Sequence, residues 1–122
     1  NKNTIIFHNS NEKTKKNFLT KKGAILIKQS TYSHKNFDLK TILKNLYMKG
    51  IKNLLVEGGD ELTKSFLQKM MFNEFYMFKS SKNLLKENKY VNFTSSDILN
   101  TKYDRYKTNF KLGTDKITIY KN

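Results

Sequence analysis

The sequence contains no cysteine, no proline and no tryptophan, and only five of its 122 residues are glycine. Without cysteine there are no disulfide bonds and no metal sites built from thiolates. No apolar run approaches the roughly 18 residues of a membrane-spanning helix, and the first residues do not form a signal peptide. We therefore expect a soluble, cytoplasmic protein of a reducing compartment, with residues 1–122 forming a single domain.

The sequence has a large excess of basic over acidic residues. It carries 24 basic and 10 acidic residues, a formal net charge of +14, yet Arg105 is the only arginine and Ala24 the only alanine. Lysine and asparagine have AT-rich codons, so genome composition explains the bias without a binding partner. A nucleic-acid surface more often uses arginine for bidentate contacts. We favour a solvated lysine surface that helps to attract phosphorylated ligands, with a basic polyanion- or RNA-binding module as the alternative.

Apolar runs alternate with helical patterns along the chain. The runs at 5–7, 24–27, 54–56, 75–78 and 90–93 predict short strands. Helices are predicted over 12–19, after the N-cap Asp38, and from Asp60 or Glu61 onward, where Leu62, Phe66, Leu67 and Met70 form the expected buried stripe. Gly23 and Gly50 lie where the first two helices should end.

The last part of the chain has the pattern of a hairpin. Up to Leu112, every second residue falls on one face of a predicted strand. The turn residues Gly113-Thr114-Asp115 follow, and Ile117 and Ile119 share one face of the next predicted strand. Strands alternating with helices imply βαβ units. The predicted fold class is α/β, a mixed and mostly parallel sheet flanked by helices, with a C-terminal antiparallel hairpin.

The segment Leu54-Leu55-Val56-Glu57-Gly58-Gly59-Asp60 is the most informative motif. A strand ending on a carboxylate, two glycines and a helix start form a turn that lets a ligand lie against the backbone. The first N–H groups of a helix have no partner within it, so they bind anions. The bland alternative is a tight strand-to-helix turn followed by a solvated Glu57.

The stretch from Leu43 to Phe78 resembles the reductase domain of the bifunctional riboflavin-biosynthesis deaminase/reductase. That family has a Gly-Ile-x-x-Leu-Leu-Val-Glu-Gly-Gly segment, matched here from Gly50 to Gly59, then a helix and an Asp-Glu-x-x-x-Phe strand, matched by Asn73 to Phe78. The segment Leu112–Tyr120 is similar to the family's closing Gly-x-Asp strand. The similarity covers most of the chain from about Asp38 onward.

The resemblance implies a dihydrofolate-reductase-like fold, a homodimer, and hydride transfer from NADPH to the ribose of a phosphorylated aminopyrimidine, which gives the ribityl product. It assigns Glu57 to the substrate. It assigns the cofactor to Gly58, Gly59, Asp60, Glu61, Leu62 and Thr63. No catalytic residue and no metal site is predicted, and another oxidoreductase of the same superfamily remains an alternative.

Two departures from the family pattern carry expectations of their own. Asp60 occupies a position where the family often has a small residue or proline, so its carboxylate either competes with the pyrophosphate or caps the helix. The N-terminal part of the family domain and the zinc-binding deaminase domain are missing, so we expect a partial reductase domain that is fused to, or cut from, a deaminase-containing chain. A further, less favoured interpretation is that His8, Asn9 and Ser10 face the adenosine end of a cofactor.

Overall fold

The computed structural model describes residues 3–31, 36–82, 93–106, 110 and 112–122. The chain divides into two compact units, Asn1–Leu54 and Leu55–Asn122. The mixed α/β character is confirmed, but the single, mostly parallel sheet is not: the described strands form a two-stranded parallel sheet and a three-stranded antiparallel sheet. The prediction of one domain over 1–122 stays a prediction.

The first unit is a βαβα arrangement. Strand β1 (Ile5–His8) pairs in parallel with β2 (Ile25–Lys28), with Ile5 opposite Ile25 and His8 opposite Lys28. Helix α1 (Lys13–Lys21) connects the strands and contacts β2. Gly23 has a φ of +89°, which ends α1 and turns the chain into β2. The sequence-based strands, the helix and the break between them are thereby confirmed.

Helix α2 (Leu39–Met48) completes the first unit and begins as predicted. The Asp38 carboxylate accepts a hydrogen bond from the backbone N–H of Lys40 at 3.1 Å and another from the Thr41 hydroxyl at 2.6 Å. Gly50, with a φ of +85°, ends the helix. Asp38 thus satisfies one of the N–H groups that the first turn leaves without an intrahelical partner.

Replacing Asp38 by alanine should destabilise the chain by about 0.5–2 kcal/mol, because the cap of α2 is lost. The free energy of unfolding measured in urea checks this. Asp38→Asn is the matched control, since asparagine caps helices about as well as aspartate. An alanine variant as stable as the asparagine variant would contradict the capping role.

The second unit packs two helices against the antiparallel sheet. Helix α3 (Asp60–Gln68) is followed by β3 (Glu74–Lys79), α4 (Ser96–Lys102), β4 (Asp104–Tyr106) and β5 (Lys116–Lys121). The strand order is β3-β5-β4. Strand β4 pairs antiparallel with β5, with Tyr106 opposite Ile119, which confirms antiparallel pairing at the C-terminal end. Most of the predicted first arm of the hairpin lies outside the described residues.

The cluster of buried hydrophobic side chains found among the described residues lies in this unit, while Leu39 is buried in the first. It consists of buried side chains, Leu67, Leu99, Tyr103 and Tyr120, with four partly buried ones, Phe72, Phe75, Met77 and Ile98, packed against them. The Tyr103 hydroxyl donates a hydrogen bond to the backbone oxygen of Leu67 at 2.7 Å, which ties α3 to the end of α4. On β5 the fully buried side chain is Tyr120, whose neighbour Ile119 is only half-buried.

The prediction of a strand over Leu54–Val56 is wrong. Residues 51–59 have no regular secondary structure, and Leu55 is 81 % exposed. A strand is stable only when a neighbour satisfies its backbone hydrogen bonds. In the described part of the chain β1 pairs with β2 and β3 with β5, and no strand pairs with Leu54–Val56.

Three other expectations changed. In the stripe of α3 only Leu67 is buried, while Leu62 is 40 % and Met70 is 59 % exposed. Helix α4 was missed, although Asp97 in its first turn and Lys102 in its last suit the helix dipole. The strand predicted over 90–93 falls mostly outside the described residues, and Phe93 has no regular structure.

Candidate functional site

The predicted cofactor corner, residues 57–63, lies entirely within the second unit. Gly59 is the N-cap of α3, with extended backbone angles of φ −67° and ψ 172°, and Asp60 is the first helical residue. The strand-to-helix turn is thus replaced by an irregular segment that leads into a helix. Glu57 is exposed in this segment, so its placement at the end of a strand is corrected.

The two glycines have different surroundings. A Cβ atom added to Gly58 would lie 2.8 Å from Cδ2 and 3.1 Å from Cβ of Leu62, so any larger residue there would force the Leu62 side chain to shift. A Cβ atom added to Gly59 would meet nothing within 4 Å, and the φ of Gly59 is one that any residue adopts. The local fold therefore does not require glycine at position 59. Because glycine has no side chain, the space beside its backbone is open to a ligand.

The start of α3 has unused hydrogen-bond donors. No side chain caps the helix at Gly59, and the first intrahelical bond of this end runs from the N–H of Thr63 to the oxygen of Gly59 at 3.1 Å. The backbone N–H groups of residues 60–62 precede that bond and have no carbonyl within the helix to reach. This end of the helix carries a partial positive charge that attracts anions, although the exposed Glu61 carboxylate opposes one.

The Asp60 carboxylate is hydrogen-bonded to other residues of the protein. It accepts hydrogen bonds from the backbone N–H of Thr94 at 3.0 Å, from the Thr94 hydroxyl, and from the Ser95 hydroxyl at 3.1 Å. Ser95, fully buried, is the N-cap of α4. Asp60 thus joins the first turn of α3 to the residues that lead into α4, across more than thirty residues of sequence. The sequence left two alternatives open for Asp60. It does not cap its own helix, and competition with a pyrophosphate stays a prediction.

The hydrogen bonds from Thr94, the largest cause, hold the pKa of Asp60 below its ordinary value. A carboxyl with a depressed pKa in the folded state contributes stability above the ordinary aspartate pKa of about 3.9 and loses it as the pH falls through the lower folded value. We expect the stability of the chain to fall with acidification in that window, and Asp60→Asn to reduce the fall. Urea unfolding from pH 6 to acid measures it; parallel curves for both proteins would contradict the assignment.

Thr94 and Ser95 are partners of this corner that were not predicted from the sequence. The run Thr94-Ser95-Ser96-Asp97 before the apolar pair Ile98-Leu99 does signal a helix start. Nothing in the linear pattern links them to Asp60, because their contact depends on how α3 packs against α4.

The remaining chemistry of the described residues is sparse. Two cavities lie in the first unit, one beside His8, Ser10 and Lys15 and the other beside Gln29. Within the described ranges no group of three histidine, cysteine, aspartate or glutamate residues is placed to hold a metal ion. No helix in those ranges has the length and apolarity required to cross a bilayer.

Comparison with known families gives one result. The model of the family described as RibD C-terminal domain matches residues 1–107, which include the whole corner from Glu57 to Thr63. The match begins well before Asp38, and it ends before Leu112–Tyr120, so the similarity of that closing segment stays a prediction. A comparison with curated proteins gives no match.

Proposed function

The chain belongs to the family of RibD C-terminal domains, the reductase domains of riboflavin biosynthesis, and from this premise we propose that it uses NADPH to reduce the ribosyl group of a phosphorylated aminopyrimidine to the ribityl group. The family is of the oxidoreductase type. The observation that carries the proposal is the open backbone at Gly59, which lies beside the uncapped N-terminus of α3 and two residues after Glu57.

The corner fits a dinucleotide phosphate on its own geometry. An incoming phosphate can approach Gly59 because no side chain fills the space that its Cβ would occupy. The N–H groups at the start of α3 then donate to the phosphate oxygens, and the net charge of +14 favours the approach of an anion. Thr94 and Ser95 hold the Asp60 carboxylate toward the start of α4, but it stays ionised, so its charge, like that of Glu61, opposes the phosphate.

The protein's own contribution is binding and orientation. NADPH supplies the hydride when bound, and the residues of the corner fix where it lies. Glu57 is exposed next to the two glycines, so its carboxylate is available to accept hydrogen bonds from sugar hydroxyls or ring N–H groups of the substrate. Holding the two reacting carbons together accounts for a large part of the rate enhancement in such reactions.

Thermal unfolding of the natural protein, at the length the organism produces, tests the proposal. A reductase gains stability from NADPH by mass action, with a melting temperature that rises with cofactor concentration. The basic polyanion module instead binds RNA with an affinity that falls steeply with salt. Stabilisation by RNA and not by NADPH would contradict the reductase assignment. Stabilisation by NADPH without turnover of the aminopyrimidine would point to another oxidoreductase of the superfamily.

We also propose that the protein is a homodimer, as its family resemblance implies. Support comes from the outer face of the antiparallel sheet, where Tyr76 is 48 %, Phe78 60 % and Tyr106 48 % exposed. A cluster of exposed aromatic residues on one sheet face is typical of interaction surfaces. Light scattering should give twice the chain mass, and Phe78→Lys should lower it; a wild-type monomer at high concentration would contradict the proposal.

A further inference from the structure

Three hydrogen-bond donors from Thr94 and Ser95 occupy both oxygens of the Asp60 carboxylate. Oδ1 accepts from the backbone N–H of Thr94 at 3.0 Å and from the Ser95 hydroxyl at 3.1 Å, while Oδ2 accepts from the Thr94 hydroxyl. Ser95 is the fully buried N-cap residue of α4, a position where a serine oxygen usually accepts a hydrogen bond from its own helix. Here the side chain makes no such cap and donates to Asp60 instead.

The N–H groups at the start of α3 are alternative partners for this carboxylate. Asp60 is the first residue of α3, and no side chain caps this end of the helix. The partial positive charge of a helix start attracts an acidic side chain of the first turn, which can accept hydrogen bonds from the N–H groups there. The same chain shows this at α2, where the Asp38 carboxylate accepts from the N–H of Lys40. Asp60 makes no such bond, because Thr94 and Ser95 occupy both of its oxygens.

We propose that Thr94 and Ser95 are positioning residues for cofactor binding: they hold the Asp60 carboxylate toward α4 and so keep the first N–H groups of α3 free for a phosphate of NADPH. This inference rests on the function proposed for residues 57–63. The charges of Asp60 and Glu61 oppose the phosphate in either arrangement. The two hydroxyl groups determine whether Asp60 also takes the hydrogen-bond donors that the phosphate needs.

The dissociation constant of NADPH, measured by isothermal titration of the natural protein and its variants, tests the inference. Thr94→Val releases Oδ2 of Asp60 and keeps the backbone bond and the Ser95 bond to Oδ1, so α3 and α4 stay joined. We expect this variant to bind NADPH about 2- to 30-fold more weakly, the equivalent of one helix-capping interaction. Thr94→Ser keeps the hydroxyl group and should bind like the wild type.

Thr101→Val is the matched control for the loss of a threonine hydroxyl. Thr101 is an exposed residue of α4 whose hydroxyl donates to the backbone oxygen of Asp97, and it does not touch Asp60. Its replacement should leave the dissociation constant of NADPH unchanged. Thermal unfolding of every variant without cofactor verifies that the protein is folded at the temperature of the titration.

Asp60→Ala separates the positioning role from a structural one. Without the carboxylate nothing competes for the N–H groups, so Asp60→Ala should bind NADPH at least as tightly as the wild type. In the double variant, adding Thr94→Val to Asp60→Ala should not weaken binding further. If the contact between α3 and α4 mattered only for folding, Asp60→Ala would instead lose affinity as Thr94→Val does.

The outcomes distinguish this inference from the proposed function. A wild type that does not bind NADPH would overturn the proposed function, and the inference with it. A wild type that binds NADPH while a folded Thr94→Val variant binds it equally well would overturn the inference alone. A loss of affinity on Thr94→Val that persists when Asp60 is alanine would also overturn it, because the effect would not pass through the carboxylate.

Discussion

Replacing Gly59 by valine should weaken NADPH binding by about 10- to 100-fold, the effect of losing one or two charge-assisted hydrogen bonds to a phosphate. The branched side chain would occupy the space that is empty beside the backbone. The protein should still fold, because no atom lies within 4 Å of the added Cβ and the backbone at Gly59 is extended, with φ −67° and ψ 172°. Isothermal titration of both proteins with NADPH measures the change.

Two further variants make this result specific. Gly59→Ala should give an intermediate loss, since its methyl group blocks less of the approach. Asn53→Val introduces the same side chain at another exposed residue of the irregular segment, outside residues 57–63, and should bind NADPH like the wild type. Equal affinities of the wild type and a folded Gly59→Val variant would contradict the phosphate contact at this corner.

Replacing Leu99 by alanine should destabilise the protein by about 2–5 kcal/mol, the usual cost of removing a buried leucine side chain and leaving a cavity. Leu99 is 0 % exposed and belongs to the core cluster of the second unit. Chemical denaturation gives the free energy of unfolding.

Leu55→Ala is the matched control and tests the corrected strand at the same time. Leu55 is 81 % exposed in the structure, so its truncation should change the free energy of unfolding by no more than about 0.5 kcal/mol. A buried strand at Leu54–Val56, as the apolar run predicts, would instead make the Leu55 and Leu99 variants similarly unstable. That outcome would contradict the structure of this segment.

Features that depend only on neighbouring residues of the chain were predictable from the sequence. Helix α2 was predicted with its cap at Asp38 and its end at Gly50 because both signals lie in the residues themselves. Strand formation at Leu54–Val56 depends on a hydrogen-bonding neighbour, which no local pattern specifies. The arrangement of the strands in two separate sheets is likewise a property of pairing, so the parallel sheet expected from alternating strands and helices was only partly correct.

The candidate site likewise has features that were predictable from the sequence and features that were not. The glycines and the helix start were predicted from the sequence, and the family match includes them. The opposite surroundings of Gly58 and Gly59 depend on the position of Leu62 after the helix has formed. The bonds of Asp60 to Thr94 and Ser95 arise from tertiary packing and have no signal in the linear pattern.

The most direct test of the central claim is a map of the backbone amide resonances of the natural protein during titration with NADPH. If a dinucleotide phosphate binds at the start of α3, the N–H signals of residues 59–62 should shift, and adding inorganic pyrophosphate should shift a subset of the same signals. Saturable binding of NADPH that leaves these four amides unchanged would show that the cofactor binds elsewhere and would contradict the account.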